Sequence, residues 1–196
     1  MTFRQGSLLA LGAPELPAEV GPVDRLDLGH GAWIDHAPGW LPGSDAWLER
    51  LRAELPWQDL ERPMYERVVA VPRRVCHLGR GADVPCGLER LGELFDAHYR
   101  RLFRSIGCNW YRDGRDSVAW HADKVPMPGD SIIAIVAVGE RRPFGLRPLH
   151  GGGRSRRWLL GEGDVLVMGG TTQAHWQHAV PKVAIAGERI SVMVRG

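Results

Sequence analysis

The sequence predicts a mainly β protein of the α+β type, a double-stranded β-helix (jelly roll) braced by N-terminal helices. Its 25 glycines and 14 prolines indicate many turns and few long helices. Two segments before residue 106 have helical apolar spacing, whereas the chain from residue 106 onwards alternates short strand-like segments with Gly-rich turns. Such a series is typical of a double-sheet jelly roll or a small barrel. The eight expected strands span 106–111, 116–120, 131–138, 143–149, 156–161, 164–168, 175–180 and 189–195.

Length and composition are those of a single-domain globular protein. The 196 residues suffice for one hydrophobic core, and 44% hydrophobic with 24% charged residues excludes a disordered chain. No apolar run reaches the roughly 20 residues of a membrane-spanning helix, and the N-terminus lacks the apolar core of a signal peptide. The cysteines (Cys76, Cys86 and Cys108) follow no disulfide or metal-site pattern, which favours a reducing, cytoplasmic location.

We expect one compact domain with three parts along the chain. Residues 1–22 form a loosely ordered arm, because a short apolar patch soon gives way to an acidic, Pro-rich stretch. Residues 23–105 carry the helices, a strand and a loop. Residues 106–196 form the jelly-roll core.

The middle part begins with two short alternating segments, 26–28 and 32–36, which predict strands. Ser44 or Asp45 can then cap a helix whose apolar residues recur at helical spacing. Pro56 ends that helix, because proline cannot continue the hydrogen-bond pattern.

Three further elements complete the middle part. Residues 65–71 (YERVVAV) predict a strand from their β-branched residues. Residues 72–86 are rich in Arg, Gly and Pro and predict a loop. From Leu88 to Phe103 the leucines and phenylalanines recur at helical spacing, which predicts a second helix.

A candidate metal site lies in the core. His121 and Asp123 are two apart, so on a strand their side chains point to the same face. A further histidine would complete a facial triad of two histidines and one carboxylate, which leaves positions on Fe(II) open. Both His175 and His178 are candidates. A lone His-x-Asp is also typical of a surface pair, and a distant histidine inside a jelly roll favours the metal site.

The last strand carries two arginines six residues apart. Arg189, Ser191, Met193 and Arg195 share one face, because even offsets on a strand do. Inward-facing arginines are costly to bury unless they meet anions, and guanidinium pairs well with carboxylate. A dicarboxylate such as 2-oxoglutarate could use both arginines. The alternative is an edge strand with solvated arginines.

Together these motifs resemble the AlkB family of Fe(II)- and 2-oxoglutarate-dependent oxygenases, which remove alkyl groups from nucleic-acid bases. The resemblance extends from Pro72 to Arg195, and it also selects His178 over His175 by its distance from Arg189. The matching motifs, in order, are Asn109-x-Tyr111, His121-x-Asp123, Val138-Gly139, Arg142-Pro-Phe144, Gly163-Asp164, His178-x-x-Pro181, Arg189-x-Ser191 and Arg195.

The resemblance implies a dioxygenase that needs Fe(II), 2-oxoglutarate and O₂. It implies three metal ligands that are also the catalytic residues, His121, Asp123 and His178. The implied reaction hydroxylates the N-alkyl carbon, after which the product collapses to free base and aldehyde. Because Asp123 is intact, the sequence does not indicate a halogenase, in which a small residue leaves room for chloride.

The resemblance also implies how 2-oxoglutarate is held. Arg189 would bind the carboxylate far from the metal, with help from Tyr111 and Ser191. Arg195 and Asn109 would act near the carboxylate that chelates the iron.

For the substrate, the implied partner is alkylated nucleic acid, with DNA favoured over RNA, and we expect a monomer without membrane contact. A Gly-rich hairpin with Arg154, Arg156 and Arg157 could contact phosphates. The family's nucleotide-recognition loop corresponds to 72–86, where His77 is the only ring available to hold a base.

Three alternatives remain open. The same chemistry could hydroxylate a small molecule or a protein side chain, which the short loop at 72–86 would favour. A non-catalytic nucleic-acid-binding module with a structural metal is disfavoured by the complete set of cosubstrate arginines. A zinc hydrolase is disfavoured because zinc sites seldom come with two inward arginines.

Overall fold

Two antiparallel β-sheets, one of eight strands and one of four, make up most of the computed structural model. It describes residues 14–64, 67–79, 84–127 and 129–196. Most of the expected N-terminal arm, residues 1–13, lies outside the described residues. No helix within those ranges is long and apolar enough to cross a membrane.

The predicted mainly β, double-sheet fold is confirmed, and all eight predicted core strands are present. The major sheet contains, in spatial order, β1 (Asp24–Gly29), β2 (Ala32–Ala37), β10 (Asp164–Gly170), β7 (Ser131–Gly139), β12 (Arg189–Arg195), β5 (Ser105–Tyr111), β4 (Arg67–Gly79) and β3 (Gln58–Met64). The minor sheet contains β6 (Val118–His121), β11 (Trp176–Val180), β8 (Arg142–Pro148) and β9 (Arg156–Leu160). The helices are α1 (Ser44–Glu54), α2 (Leu88–Tyr99) and the single turn α3 (Thr172–His175), with a 3₁₀ turn at Pro85–Gly87.

The core has two layers, and β7 separates them. Ile133 and Ile135 point between the two sheets, whereas Val136 and Val138 point to the layer under α1 and α2. Every residue of β7 is buried, because this central strand is covered on both faces. Its sequence is therefore a nearly continuous apolar run. The helices therefore brace the outside of the major sheet and leave the space between the sheets for a site.

Both predicted helices form, and one is shorter than expected. The helix α1 (Ser44–Glu54) stops before Pro56, as its sequence predicts, but the predicted cap at Ser44 or Asp45 is wrong, because the N-cap is Gly43 and no side chain caps the helix. The Ser44 hydroxyl instead accepts a hydrogen bond from the Gly139 N–H (3.1 Å). The helix α2 ends at Tyr99 instead of Phe103, because Arg100 adopts a left-handed φ of 52° that closes the last turn. Asp96 then accepts a hydrogen bond from the Phe103 N–H (2.6 Å), which fixes the chain as it leaves the helix.

The prediction of a loop over 72–86 is wrong for its first half. The strand β4 continues to Gly79 and pairs with β3 on one side and β5 on the other. Pro72 is tolerated because the register between β3 and β4 shifts there, opposite the Asp59–Glu61 segment, and proline suits such an irregularity. Residues 80–83 of the expected loop lie outside the described residues.

Candidate active site

A cavity of about 660 Å³ opens between the two sheets. Its walls come from β4, β5 and β12 of the major sheet and from β6 and β11 of the minor sheet. This volume is in the range of pockets that hold small organic ligands. The predicted site residues are concentrated here.

The inward face of β12 supplies one wall of the cavity. Arg189, Ser191, Met193 and Arg195 all line it, whereas the intervening residues pack in the helix-covered layer. The neighbouring strand β5 adds two of its own side chains from matching register positions. Tyr111 lies opposite Arg189, and Asn109 lies opposite Ser191.

Three potential metal ligands converge at the other wall. His121 ends β6, and His178 lies directly opposite it on β11. Asp123 follows His121 by two residues and turns back towards both. The three ligand atoms lie within 4.8 Å of one another. Asp123 Oδ1 is 3.2 Å from His121 Nε2 and 3.8 Å from His178 Nε2. His175 is not part of this group, because it ends α3 and is exposed.

The two imidazoles have different environments. The Nδ1–H of His121 donates to the Ala119 carbonyl (2.9 Å), which directs Nε2 towards Asp123. Burial acts to lower the pKa of His121, but hydrogen bonds with Asp123 and Ala119 outweigh it and raise that pKa. For His178, burial and the neighbouring His121 lower the pKa to about 4. His178 is therefore neutral at pH 7, the form that binds a metal.

Asp123 is held by a cation and by an amide. Arg195 Nε and Nη2 each lie 3.0 Å from Asp123 Oδ2, which leaves Oδ1 facing the two histidines. Gln173 accepts a hydrogen bond from the Asp123 backbone N–H (2.8 Å). Burial opposes ionisation of Asp123, but the hydrogen bond with His121 and the Arg195 charge outweigh it and lower its pKa. The carboxylate is thus ionised and fixed in direction.

Arg189 lies at the buried end of the cavity. Its side chain is 1% exposed, and its Nε donates to the Leu160 carbonyl (3.1 Å). Its Nη1 is buried and has no hydrogen-bond partner among the described residues. Burial lowers the pKa of Arg189, and Tyr111 partly offsets that shift. A buried guanidinium with a free donor is suited to a carboxylate ligand.

Comparison with known proteins agrees with this geometry. The family model of the 2OG-Fe(II) oxygenase superfamily matches residues 88–195. The chain is 30% identical to DNA oxidative demethylase ALKBH2 of Arabidopsis thaliana, over 98% of this chain and 76% of that protein. The chain belongs to the AlkB family of 2OG-Fe(II) oxygenases. It is therefore a dioxygenase that uses Fe(II), 2-oxoglutarate and O₂.

Other AlkB-family proteins and solved structures are similar to this chain. Alpha-ketoglutarate-dependent dioxygenase alkB homolog 3 of Mus musculus is 42% identical over 74% of this chain, which spans 59% of that relative. The structure of OsALKBH1 has the same fold, with a TM-score of 0.63 at 14% identity over 89% of this chain and 99% of that one. A 2OG-Fe(II) oxygenase family structure from Burkholderia pseudomallei gives 0.56 at 17% identity, over 83% and 84%.

The described residues of this oxygenase fit the groups that its family needs. Two imidazoles and one carboxylate are the donor set that suits Fe(II) while leaving coordination positions open. The unpaired Nη1 of Arg189 suits a carboxylate of 2-oxoglutarate. Both features lie on one cavity, so a ligand can meet both.

The second buried arginine has a different environment. Arg142 of the Arg-x-Phe motif is fully buried, and its guanidinium donates to the carbonyls of Asp113 (2.9 Å), Asp116 (2.9 Å) and Pro181 (2.9 Å). These bonds tie the turn before β6 to the end of β11. Arg142 therefore positions the two strands that carry His121 and His178.

The three hairpin arginines do not share one surface. Arg154 lies in the exposed turn between β8 and β9. In β9, Arg157 is opposite Gly145 and exposed, whereas Arg156 is opposite the buried Leu146 and has a buried Nε. Successive residues of a strand point to opposite faces, so only Arg154 and Arg157 present free charge to the outside.

The remaining predicted substrate residue, His77, lies on β4 instead of a loop. It is exposed and still lines the cavity, in register with Gly107. Its position follows from the extension of β4, which also brings Arg73 and Val75 to the cavity.

Sequence reasoning missed two residues that position the site. Arg73 Nε donates to Asn109 Oδ1 (2.9 Å), and its Nη1 donates to the Ser117 carbonyl (3.3 Å), so it links β4, β5 and the chain before β6. Gln173 fixes the Asp123 backbone. Nothing in the local sequence marks either residue, because their partners lie 36 and 50 residues away.

Proposed function

We propose that this protein carries out Fe(II)- and 2-oxoglutarate-dependent oxidative dealkylation of N-alkylated bases in nucleic acid. The observation that carries the proposal is one cavity that joins the His121–Asp123–His178 group to the buried Nη1 of Arg189, which has no partner among the described residues. The relatives named DNA oxidative demethylase support the substrate class.

In this proposal His121, Asp123 and His178 hold Fe(II). Arg189 binds the far carboxylate of 2-oxoglutarate. Tyr111 and Ser191 help Arg189, while Asn109 and Arg195 act on the other carboxylate of 2-oxoglutarate, and Arg195 already contacts Asp123. When bound, Fe(II) with 2-oxoglutarate and O₂ supplies the oxidation that hydroxylates the N-alkyl carbon.

The protein's own residues orient these groups and exclude water. Arg195 pins one oxygen of Asp123 and so directs the other oxygen towards the histidines. The Ala119 carbonyl sets the His121 tautomer, because it accepts the Nδ1–H. Phe144 packs against His178 with ring centroids 5.7 Å apart, which keeps that side of the site apolar. A fixed, dry site favours the charged interactions on which positioning depends.

The finer assignments belong to the same proposal. We assign DNA over RNA because the ALKBH2 relatives are DNA oxidative demethylases. Arg154 and Arg157 supply phosphate contacts, and His77 at the cavity contacts the base; Arg156, on the inner face, contributes less. We assign a monomer because all proposed ligands come from one chain, and the cytoplasm because the three thiols are free.

The test is anaerobic binding of Fe(II) and 2-oxoglutarate, followed by O₂ and a panel of methylated oligonucleotides. We expect a metal-to-ligand charge-transfer band that bleaches faster with one methylated base, together with release of formaldehyde and succinate. His178→Ala should abolish the band and turnover. His175→Ala is the matched control, because His175 is three residues away and exposed.

The possible results separate the alternatives. No band in a folded protein would contradict the site assignment. A band that ignores every oligonucleotide would contradict the substrate and move it to a small molecule or a protein side chain. Oligonucleotide binding without succinate release would mean a non-catalytic binding module.

A further inference from the structure

An exposed tryptophan lies beside the metal-ligand group, on the outer face of the minor sheet. Trp120 precedes His121 on β6, one of the two edge strands of that sheet, and is 40% exposed. Its indole lies over Gly145 of β8, where a Cβ would approach to 2.7 Å. Trp120 also lines the cavity, so the indole connects the outer face with the cavity mouth.

Arg147 stacks on this indole. Its Cζ lies 4.4 Å from the ring centroid of Trp120, within cation–π distance. Gln177 on β11 holds the guanidinium, because its Oε1 accepts from Arg147 Nε (3.2 Å) and Nη2 (3.0 Å). The pair is therefore held in place from three strands, and side-chain ordering on ligand binding would cost little.

The same face is positively charged. Arg157 projects from β9 opposite Gly145, and Arg154 lies in the adjoining turn. Neither has an ion-pair partner among the described residues, and the sequence holds no Asp or Glu between Arg141 and Gly161. By contrast, Arg141 just outside this face is paired with Glu162 (3.1 Å). Leu159, 57% exposed, adds apolar area to the same side of β9.

This face presents an exposed indole with a stacked guanidinium beside arginines that have no ion-pair partner among the described residues. These are the groups that bind single-stranded nucleic acid. Bases stack on aromatic side chains whatever their sequence, and arginines follow the phosphates. A strand whose reacting base enters the cavity must continue outside it, and Trp120 is an exposed aromatic residue at that exit.

We propose that Trp120, stacked with Arg147, binds the base next to the reacting nucleotide in a single-stranded substrate, and that Arg157 contacts its phosphate backbone. This inference rests on the proposed function and names the form of the substrate. It makes Trp120 a residue that determines substrate length and strandedness, with no part in holding the metal or 2-oxoglutarate.

The test compares KM for two substrates that carry the same methylated base. One is a single methylated nucleotide, which has no neighbouring base, and the other is a single-stranded oligonucleotide of about 12 nucleotides. In Trp120→Leu, the preference for the oligonucleotide should fall by about tenfold, the effect of losing one stacked base. Trp120→Phe should restore most of the preference, because phenylalanine keeps a stacking face.

Two further variants keep the test valid if Trp120→Leu folds poorly. Arg147→Met should lower the same preference by a smaller factor. Arg141→Met is the matched control, since Arg141 is an exposed arginine outside this face, and should leave the preference at the parent value. Melting temperature and the charge-transfer band verify that each variant is folded.

Several results would overturn the inference. An unchanged preference in both Trp120→Leu and Arg147→Met would exclude stacking at this face. Equal losses for both substrates would mean that Trp120 acts only through His121. A parent enzyme that acts on no methylated oligonucleotide or nucleotide would instead contradict the proposed function itself, so the two failures are distinguishable.

Discussion

Arg142 in the minor sheet and Arg189 in the major sheet are both buried, and both lie near the ring of Tyr111. Arg142 donates to three backbone carbonyls at 2.9 Å, those of Asp113, Asp116 and Pro181. Arg189 donates to the Leu160 carbonyl and keeps a buried Nη1 without a partner in the described part of the chain.

The difference shows that burial alone does not identify a binding arginine. A buried charge is costly unless it is hydrogen-bonded, so Arg142 stabilises the fold because both of its Nη atoms donate to carbonyls. Its buried Nε, like Nη1 of Arg189, has no partner among the described residues, but of the two arginines it is Arg189 that lines the cavity. Arg189 keeps a donor that a ligand can satisfy, at a cost to the ligand-free protein. The contrast predicts opposite consequences for removal of each charge.

The largest effect is expected for Arg189→Met. We expect 2-oxoglutarate affinity to fall by about a hundredfold, because a buried charge pair lost on one side costs about 2–5 kcal/mol. An anaerobic titration of 2-oxoglutarate against the charge-transfer band measures this. If the variant kept the 2-oxoglutarate affinity of the parent protein, Arg189 would be a structural residue like Arg142, and the contrast between the two arginines would be wrong.

For Arg142→Met we expect the free energy of unfolding to fall by about 3 kcal/mol, because buried carbonyls lose charged donors. Urea unfolding of the ligand-free protein measures the change. Arg189→Met should destabilise the same protein less. If Arg189→Met proved the more destabilising substitution, the distinction between the two arginines would be wrong.

Arg195 tests an intermediate case, because it is partly buried and binds a proposed metal ligand. We expect Arg195→Gln to weaken Fe(II) binding by about tenfold, the usual effect of removing a group that orients a ligand. Competition with a chelator gives the affinity. Arg101→Gln is the control, since Arg101 forms an exposed ion pair with Asp130 (2.7 Å) away from the cavity. An equal loss of Fe(II) affinity in both variants would refute the role of Arg195.

The smallest effect is expected from exposed arginines of the hairpin. Arg157→Gln should lower the salt dependence of oligonucleotide binding by about one phosphate contact. Arg156→Gln, one residue away on the opposite face, is the matched control and should leave the slope near the parent value. If Arg156→Gln lowered the salt dependence and Arg157→Gln did not, the phosphate contact would lie on the inner face of β9.

Much of the fold could be predicted, because it depends on local pattern. The eight core strands and the helix α1 (Ser44–Glu54) follow from alternation, helical spacing and a proline stop. The errors occur where long-range pairing overrides local preference. The chain stays extended to Gly79 because β5 pairs with residues 74–79 and β3 pairs with Arg74 and Val75, despite a Pro- and Arg-rich sequence.

The candidate site was predictable to a similar extent. The motif spacing and the alternation of β12 predicted a common face for Arg189, Ser191 and Arg195, and the structure has it. The roles of Arg73 and Gln173 were not predictable, since each contacts a residue far along the chain. The interaction of Trp120 with Arg147 was also not predictable, because it joins two strands that come together only in the folded sheet.

By itself the sequence determined where the core strands lie and which face of a strand each candidate site residue occupies, because both depend on local periodicity. It also determined which residues are available for chemistry. Only the tertiary structure decided which buried arginine keeps an unpartnered donor on the cavity, which hairpin arginine is exposed and which oxygen of Asp123 faces the histidines. Those properties depend on partners from distant strands, and the hydrogen bonds that satisfy or expose a charge exist only after the sheets have paired.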